Sequence, residues 1–353
     1  MITRTPIAVH CEEVVPAASA SASSVPDTPL GDWQQQLRGV IRDPVALCQR
    51  LALDPEWVLG ARTGHALFPV RVPEAYLSRI RRGDPDDPLL RQVLPLGAES
   101  DTVQGFVDDP LEERDHTPKP ALIHKYPGRA LLIASPTCAI NCRYCFRRHF
   151  PYADNAPSMR EWEQTLDYLR DDSSIQEAIL SGGDPLASPD RRLATLVERL
   201  EAIPHLKRLR IHTRLPVVIP DRVDAALLEW LGNTRLQKVM VLHINHAQEI
   251  DAAVVAACER LKTAGVTLLN QSVLLRGVND EVATLATLSE RLFEAGVLPY
   301  YLHVLDPVAG AAHFDVPDAE ARELMEALRQ RLAGFLMPRL VREVPGEQSK
   351  TPL

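Results

Sequence analysis

The sequence predicts an α/β fold, a partial (β/α)6 barrel of the TIM type, and three observations carry that expectation. From residue 121 onward, six short apolar runs alternate with helix-like segments, the pattern of parallel βα units. Polar motifs fall directly after the apolar runs, at the carboxyl ends of strands, where a barrel collects its chemistry. No glycine-rich turn follows the first run, as an open dinucleotide-binding sheet would favour.

The elements follow in order. Residues 1–30 contain PAASASASSVPDTP, small residues and prolines without periodicity, and are expected to form a disordered leader. Residues 31–120 predict a helical, loop-rich region. There Asp43 stands as an N-cap with Pro44 at the first helical position, and Val45, Cys48 and Leu51 follow at helical spacing. The barrel is expected over 121–310, with strands at Ala130–Ala134, Ala178–Leu180, Leu209–His212, Val239–Ile244, Val266–Leu275 and Leu298–Leu305. Helices are expected between them at Met159–Leu169, Arg191–Ala202, Val223–Leu231, Ala252–Ala264 and Val282–Ala295. Residues 311–353 predict a helix and a short tail.

Composition narrows the function. The chain has 353 residues, 45% of them hydrophobic, and no apolar run approaches the ~18 residues of a membrane span. A net charge of -8 argues against a nonspecific nucleic-acid surface, which needs Lys and Arg against phosphates. The N-terminus lacks a sustained apolar secretory segment, so a cytoplasmic chain with reduced thiols is expected. Six cysteines are too few for a disulfide scaffold, and Cys11, Cys48 and Cys258 read as ordinary thiols.

Cys138, Cys142 and Cys145 stand in CAINCRYCF with the spacing C-x3-C-x2-C. Iron–sulfur clusters are usually held by four thiolates, so a trio with no fourth cysteine nearby leaves one metal position open. A zinc knuckle completed by His149 and a disulfide pair are the competing readings; the spacing and the reduced compartment stand against them. SGGDPL at 181–186 is by itself a tight turn into a helix. Placed one strand after the trio, it becomes a candidate ligand site, because successive glycines expose backbone to a close ligand.

The cysteine trio, with Tyr144 before its last member, resembles the signature of the radical S-adenosylmethionine (SAM) superfamily. That resemblance implies a [4Fe-4S] cluster on Cys138, Cys142 and Cys145, SAM on the open iron, and a partial barrel of the radical SAM type. It also assigns Gly182, Gly183 and Asp184 to the methionine end of SAM.

Over roughly residues 85–353 the chain is similar to the lysine 2,3-aminomutase family, through HKYPGRALLI, CRYCFRRHF, LSGGDPL, NQSVLLRGVND, PYYLHVLDPVAGAAHF and EVPGEQSKTPL. Its short N-terminal region and tail look most like the branch that serves β-lysylation of elongation factor P (EF-P). The resemblance implies pyridoxal 5'-phosphate (PLP) bonded to Lys350, making 311–353 a helix and PLP-binding tail. The PLP phosphate would lie on Lys125, Tyr126 and Arg129, with Lys125 replacing the family's arginine and losing its bidentate fork. Gln271 joins the cofactor-binding set. Arg147 matches the clamp on the substrate carboxylate, and Asp306 with Glu343 the acidic pair on the distal ammonium of lysine, glutamate here standing where the family has aspartate.

The expected activity is thus a radical SAM and PLP dependent isomerisation of L-lysine to β-lysine. Its expected partners are L-lysine, an electron donor such as a flavodoxin or ferredoxin, and a functional link to EF-P and its lysyl ligase, with no nucleic acid or membrane. The alternatives are an aminomutase for another amino acid and, from a different class, a structural metal-binding module that recruits a partner.

Overall fold

In the computed structural model, which describes residues 32–151 and 159–353 without the side chains of 159–161, the strands form one sheet whose spatial order is the sequence order. The strands are β1 (Leu122–Tyr126), β2 (Arg129–Ser135), β3 (Glu177–Gly182), β4 (Arg208–Thr213), β5 (Gln237–Leu242), β6 (Thr267–Val273), β7 (Leu298–His303), β8 (Arg339–Arg342) and β9 (Thr351–Pro352). Neighbours from β2 to β8 pair in parallel, while β1 and β9 add antiparallel strands at the two edges. No pairing joins β1 to β9, so the barrel stays open. The leader expected over 1–30, with Cys11, lies outside the described residues.

Local chemistry explains the connecting helices. Asp224 and Asp251 cap Ala225–Asn233 and Ala252–Thr263 by accepting from Leu227 N and Val254 N, and Asp43 caps Pro44–Arg50 in the same way. Along Ala252–Thr263 the buried side chains are Val254, Ala257, Cys258 and Leu261, one apolar stripe at helical spacing. That stripe joins Leu132, Leu180, Leu209, Met240 and Leu268 from the strands in one hydrophobic cluster. Trp33, Leu47, Tyr76 and Leu89 of the N-terminal region belong to the same cluster. No helix among the described residues is long and apolar enough to cross a membrane.

Strand alternation decides what reaches the lumen. In β4, Leu209 and Ile211 are buried away from the cavity inside the barrel while Arg210 and His212 line it, and buried Thr213 reaches it at the strand's end. In β6, Leu268, Asn270 and Ser272 are buried and Leu269, Gln271 and Val273 line it. A side-chain period of two thus sends one residue set outward to the helices and the other inward.

The sheet is larger than the six strands read from the sequence. β1 and β2 form a hairpin through Pro127 and Gly128, whose φ of +75° suits the turn. HKYPGR holds both strand ends and the turn, so its charges mask the strand pattern. β8 is four residues long with arginine at both ends, and β9 contains Pro352, an edge-strand position where a missing N–H is tolerated. Observed boundaries of the six expected strands differ from the expected ones by at most two residues.

Gly182 and Gly183 let β3 approach the loop after β2. Gly182 has φ +124°, and a Cβ there would lie 2.5 Å from Ser135 O; one on Gly183 would lie 2.7 Å from Thr137 O. The approach is fixed by Gly183 N donating to Ser135 O and Asp184 N to Thr137 O, each at 2.8 Å. Gly182→Ala is expected to lower unfolding free energy by about 1–3 kcal/mol, the cost of such backbone strain, in urea titrations. Gly232→Ala, on an exposed helical position with open space around it, should raise it by about 0.5–1 kcal/mol.

Candidate active site

A cavity of about 1160 Å³ runs through the lumen, and every site residue named from the sequence lines it. Cys138, Cys142 and Cys145, after β2, meet there with Gly182, Gly183 and Asp184 after β3, Gln271 on β6, and Asp306 after β7. Lys125, Tyr126 and Arg129 come from the β1–β2 hairpin, Arg147 from the cysteine loop, Glu343 from just beyond β8 and Lys350 from just before β9. Strand ends thus gather residues separated by more than two hundred positions.

The N-terminal region braces the cysteine loop. Asn141 N donates to Arg71 O at 3.0 Å and Arg143 N to Gln92 O at 2.9 Å. Glu99, fully buried, takes a fork from Arg143, whose Nε lies 2.9 Å from Oε1, and a further bond from Arg148 Nη2 at 2.6 Å. From the other side, buried Arg214 donates to Cys142 Sγ at 2.8 Å, Tyr144 Oη at 2.9 Å, Gln92 Oε1 at 2.7 Å and Glu249 Oε2 at 2.8 Å. Tyr144 also accepts from Asn245 Nδ2 at 2.7 Å, which fixes the aromatic between the last two cysteines.

Burial pushes the Cys145 thiol up to about 11 and the Cys138 thiol upward as well, and each is raised further by the charge of neighbouring cysteines. Cys138 and Cys145 thus stay protonated unless a cationic centre joins them, which is what an iron cluster provides. No three His, Cys, Asp or Glu side chains among the described residues converge on one ion, as a tetrahedral zinc site would require. Cys48 and Cys258 are free, buried thiols in the apolar core, as expected.

Asp184 is a braced wall of the cavity. Its carboxylate accepts from Thr213 Oγ1 at 2.6 Å and from the amides of Leu186, Arg214 and Leu215 at 2.8–3.0 Å, tying the ends of β3 and β4 together. Beside it, Arg147 forms a two-point fork with Glu113, Nε to Oε2 at 2.7 Å and Nη2 to Oε1 at 2.8 Å. Its Nη1 donates to Ser181 Oγ at 3.0 Å and Gly182 O at 3.3 Å.

Charges of both signs line the rest of the lumen. Glu343 Oε2 lies 2.7 Å from Lys350 Nζ, its Oε1 lies 3.6 Å from Lys125 Nζ, and Tyr126 hydrogen-bonds the same carboxylate. Lys125 also donates to Leu111 O at 2.6 Å, and the Arg129 guanidinium stacks 4.4 Å from the Tyr126 ring centre. Burial opposes the Glu343 charge, yet Lys350, Lys125 and Tyr126 together hold it down at about 2. Burial, with the Glu343 charge beside it, pushes Asp306 up to about 7. Lys350 Nζ sits 5.9 Å from the Tyr301 ring centre, and Gln271 Nε2 lies 2.7 Å from His303 Nε2. Burial keeps His212, His243 and His303 neutral, His243 at about 4.

Lys125, Tyr126 and Arg129 at one hairpin suit a phosphate, and Lys350 in the same cavity suits an aldehyde cofactor. Arg214, Glu99, Glu113, Glu249 and the three histidines were not singled out from the sequence. Arg214 and His212 lie in HTRLP and His243 in HINH, polar motifs that the sequence places at strand ends without giving them a role. Glu99 and Glu113 lie in loop-rich segments whose pattern carries no such signal.

Residues 132–288 match the family model of the radical SAM superfamily. The chain is 53% identical to an L-lysine 2,3-aminomutase of Escherichia coli K12, over 91% of this chain and 94% of that protein. It is 48% identical to an L-lysine 2,3-aminomutase of Haemophilus influenzae, over 91% and 95% of the two chains. A Clostridium subterminale protein of the same description is 35% identical, over 93% of this chain and 79% of its own length.

Two outcomes follow from these charges. Glu99→Ala leaves Arg143 and Arg148 buried without their carboxylate and should cost about 3–5 kcal/mol in urea unfolding. Asp306, raised to about 7 in the folded chain, keeps a proton that the unfolded chain releases above pH ~4. Its stabilising contribution is full below pH ~4 and is lost as pH rises through about 7. The stability of the unsubstituted chain relative to Asp306→Asn should therefore fall by up to about 4 kcal/mol between pH 4 and 8, measured by urea titration at each pH.

Proposed function

Because the chain belongs to the radical SAM L-lysine 2,3-aminomutase family, we propose that it isomerises L-lysine to β-lysine by moving the α-amino group to the β carbon. One observation carries this reading: the cysteine trio and Lys350 line the same cavity. When bound, the iron–sulfur cluster with SAM supplies a hydrogen-abstracting radical, and PLP carries the nitrogen that migrates.

The chain's own residues bind, orient and shield. Cys138, Cys142 and Cys145 would hold the cluster, with Gly182 and Gly183 letting SAM approach the backbone and Asp184 keeping that wall rigid. Lys125, Tyr126 and Arg129 would hold the cofactor phosphate, Lys350 its aldehyde carbon, and Gln271 a neighbouring edge. Arg147, held in one plane by Glu113 and Ser181, would present its pre-oriented guanidinium to a substrate carboxylate. Asp306 and Glu343 supply negative charge for the distal ammonium of lysine. The strand β9, paired to β8, closes the tail over the lumen and helps exclude water from the reacting groups.

We place the activity in the cytoplasm, with a flavodoxin or ferredoxin as electron donor, and propose that its product serves the modification of EF-P through a lysyl ligase. Similarity to the E. coli relative over nearly its whole length supports the isomerase reading.

Anaerobic incubation with lysine, SAM, PLP and a reductant, followed by chiral analysis, should yield β-lysine. Conversion of a neutral amino acid in preference to lysine would overturn the substrate assignment. Cys142→Ala should lose the iron-dependent absorbance together with turnover; retention of both would remove the trio from the cluster.

A further inference from the structure

Glu343 is placed for more than substrate recognition. Its carboxylate touches Lys350 at 2.7 Å, Lys125 at 3.6 Å and the Tyr126 hydroxyl, all three within the proposed cofactor set. The Asp306 carboxylate, by contrast, makes no hydrogen bond or ion pair to a described residue and faces the same cavity. The two carboxylates are therefore not equivalent halves of one clamp.

We infer that Glu343, besides serving the distal ammonium of the substrate, is the resting site of the Lys350 amine, a positioning residue that receives this lysine whenever the cofactor releases it, while Asp306 serves the substrate ammonium alone. The inference rests on the PLP and lysine reading proposed above.

The exchange chemistry requires such a site. When substrate replaces Lys350, the substrate α-nitrogen bonds to the cofactor's aldehyde-derived carbon and the bond from that carbon to Lys350 nitrogen breaks. The electron pair of the broken bond stays on Lys350, and the protons of the substrate ammonium pass to it. The lysine leaves as a cation at a largely buried position, where an unpaired charge is costly. Glu343 is the carboxylate at hand.

Backbone geometry sets the pair in advance. Arg342 pairs with Thr351 and Val341 with Pro352, so the β8–β9 ladder closes the loop between Glu343 and Lys350 at its base. Both side chains project from that base into the lumen, with exposures of only 16% and 18%. Glutamate, one methylene longer than aspartate, provides the reach. Lys125 and Tyr126 hold the carboxylate from behind, so it stays charged and in place when Lys350 is bonded elsewhere.

The test uses the enzyme loaded with cluster and PLP but given no reductant, so that nothing turns over. Lysine and norleucine, which has the same carbon chain without the distal amine, are titrated while the PLP absorbance reports replacement of Lys350. Glu343→Gln should weaken both ligands by about ten-fold, the scale of one charge-assisted hydrogen bond, because the loss common to both lies on the Lys350 side. Glu343→Asp should weaken both to a smaller extent, and Asp306→Asn should weaken lysine alone.

A Glu343→Gln effect confined to lysine would overturn the inference and leave Glu343 a substrate clamp only. Unchanged affinity of both ligands in Glu343→Gln and Glu343→Asp would overturn it equally. A Lys350→Ala chain that keeps the protein-bonded PLP absorbance would instead overturn the reading on which the inference rests.

Discussion

Burying a charge is unfavourable unless a partner is buried with it, and this constraint organises the whole barrel. The lumen contains Arg143, Arg147, Arg148, Arg214, Lys125 and Lys350 at or behind its walls. Each is answered by a carboxylate: Glu99 for Arg143 and Arg148, Glu113 for Arg147, Glu249 for Arg214, and Glu343 for the two lysines. Two of these acids lie in the N-terminal region and one after β8. The N-terminal helices and the tail thus complete the electrostatics of a barrel that could not bury its own cations.

The same pairing fixes geometry. Glu99 spans the arginines that flank Tyr144 and Cys145, so the cysteine loop takes one shape against the N-terminal region. Asp184 does the corresponding work between β3 and β4, with four donors on one carboxylate. Such fully satisfied buried networks rigidify a site because each member would be expensive to move. Asp306 is the exception, a carboxylate facing the cavity with no cation in contact among the described residues, and burial raises it although Lys350 and Lys125 act against the shift.

Much of this was legible in the sequence. The six apolar runs became β2 to β7 because alternation of strand and amphipathic helix leaves little topological choice. The residues carried over from motif resemblance share one cavity because strand carboxyl ends converge in a barrel. The rest was hidden for definable reasons. β1, β8 and β9 are short, charged or proline-containing, so no apolar pattern marks them. Glu99 and Glu113 pair with arginines more than thirty residues away, and nothing local announces a long-range ion pair. The glycines of SGGDPL read as ligand contacts in the sequence; the backbone also needs them for close approach of β3 to the loop after β2.

Everything proposed for this cavity turns on Lys350 carrying PLP beside the cysteine trio. Borohydride reduction of the PLP-loaded chain, followed by peptide mass spectrometry, tests it directly. A reduced pyridoxyl adduct on the peptide containing Lys350 is expected. An adduct on Lys125 instead, or no adduct at either lysine after saturation with PLP, would contradict it.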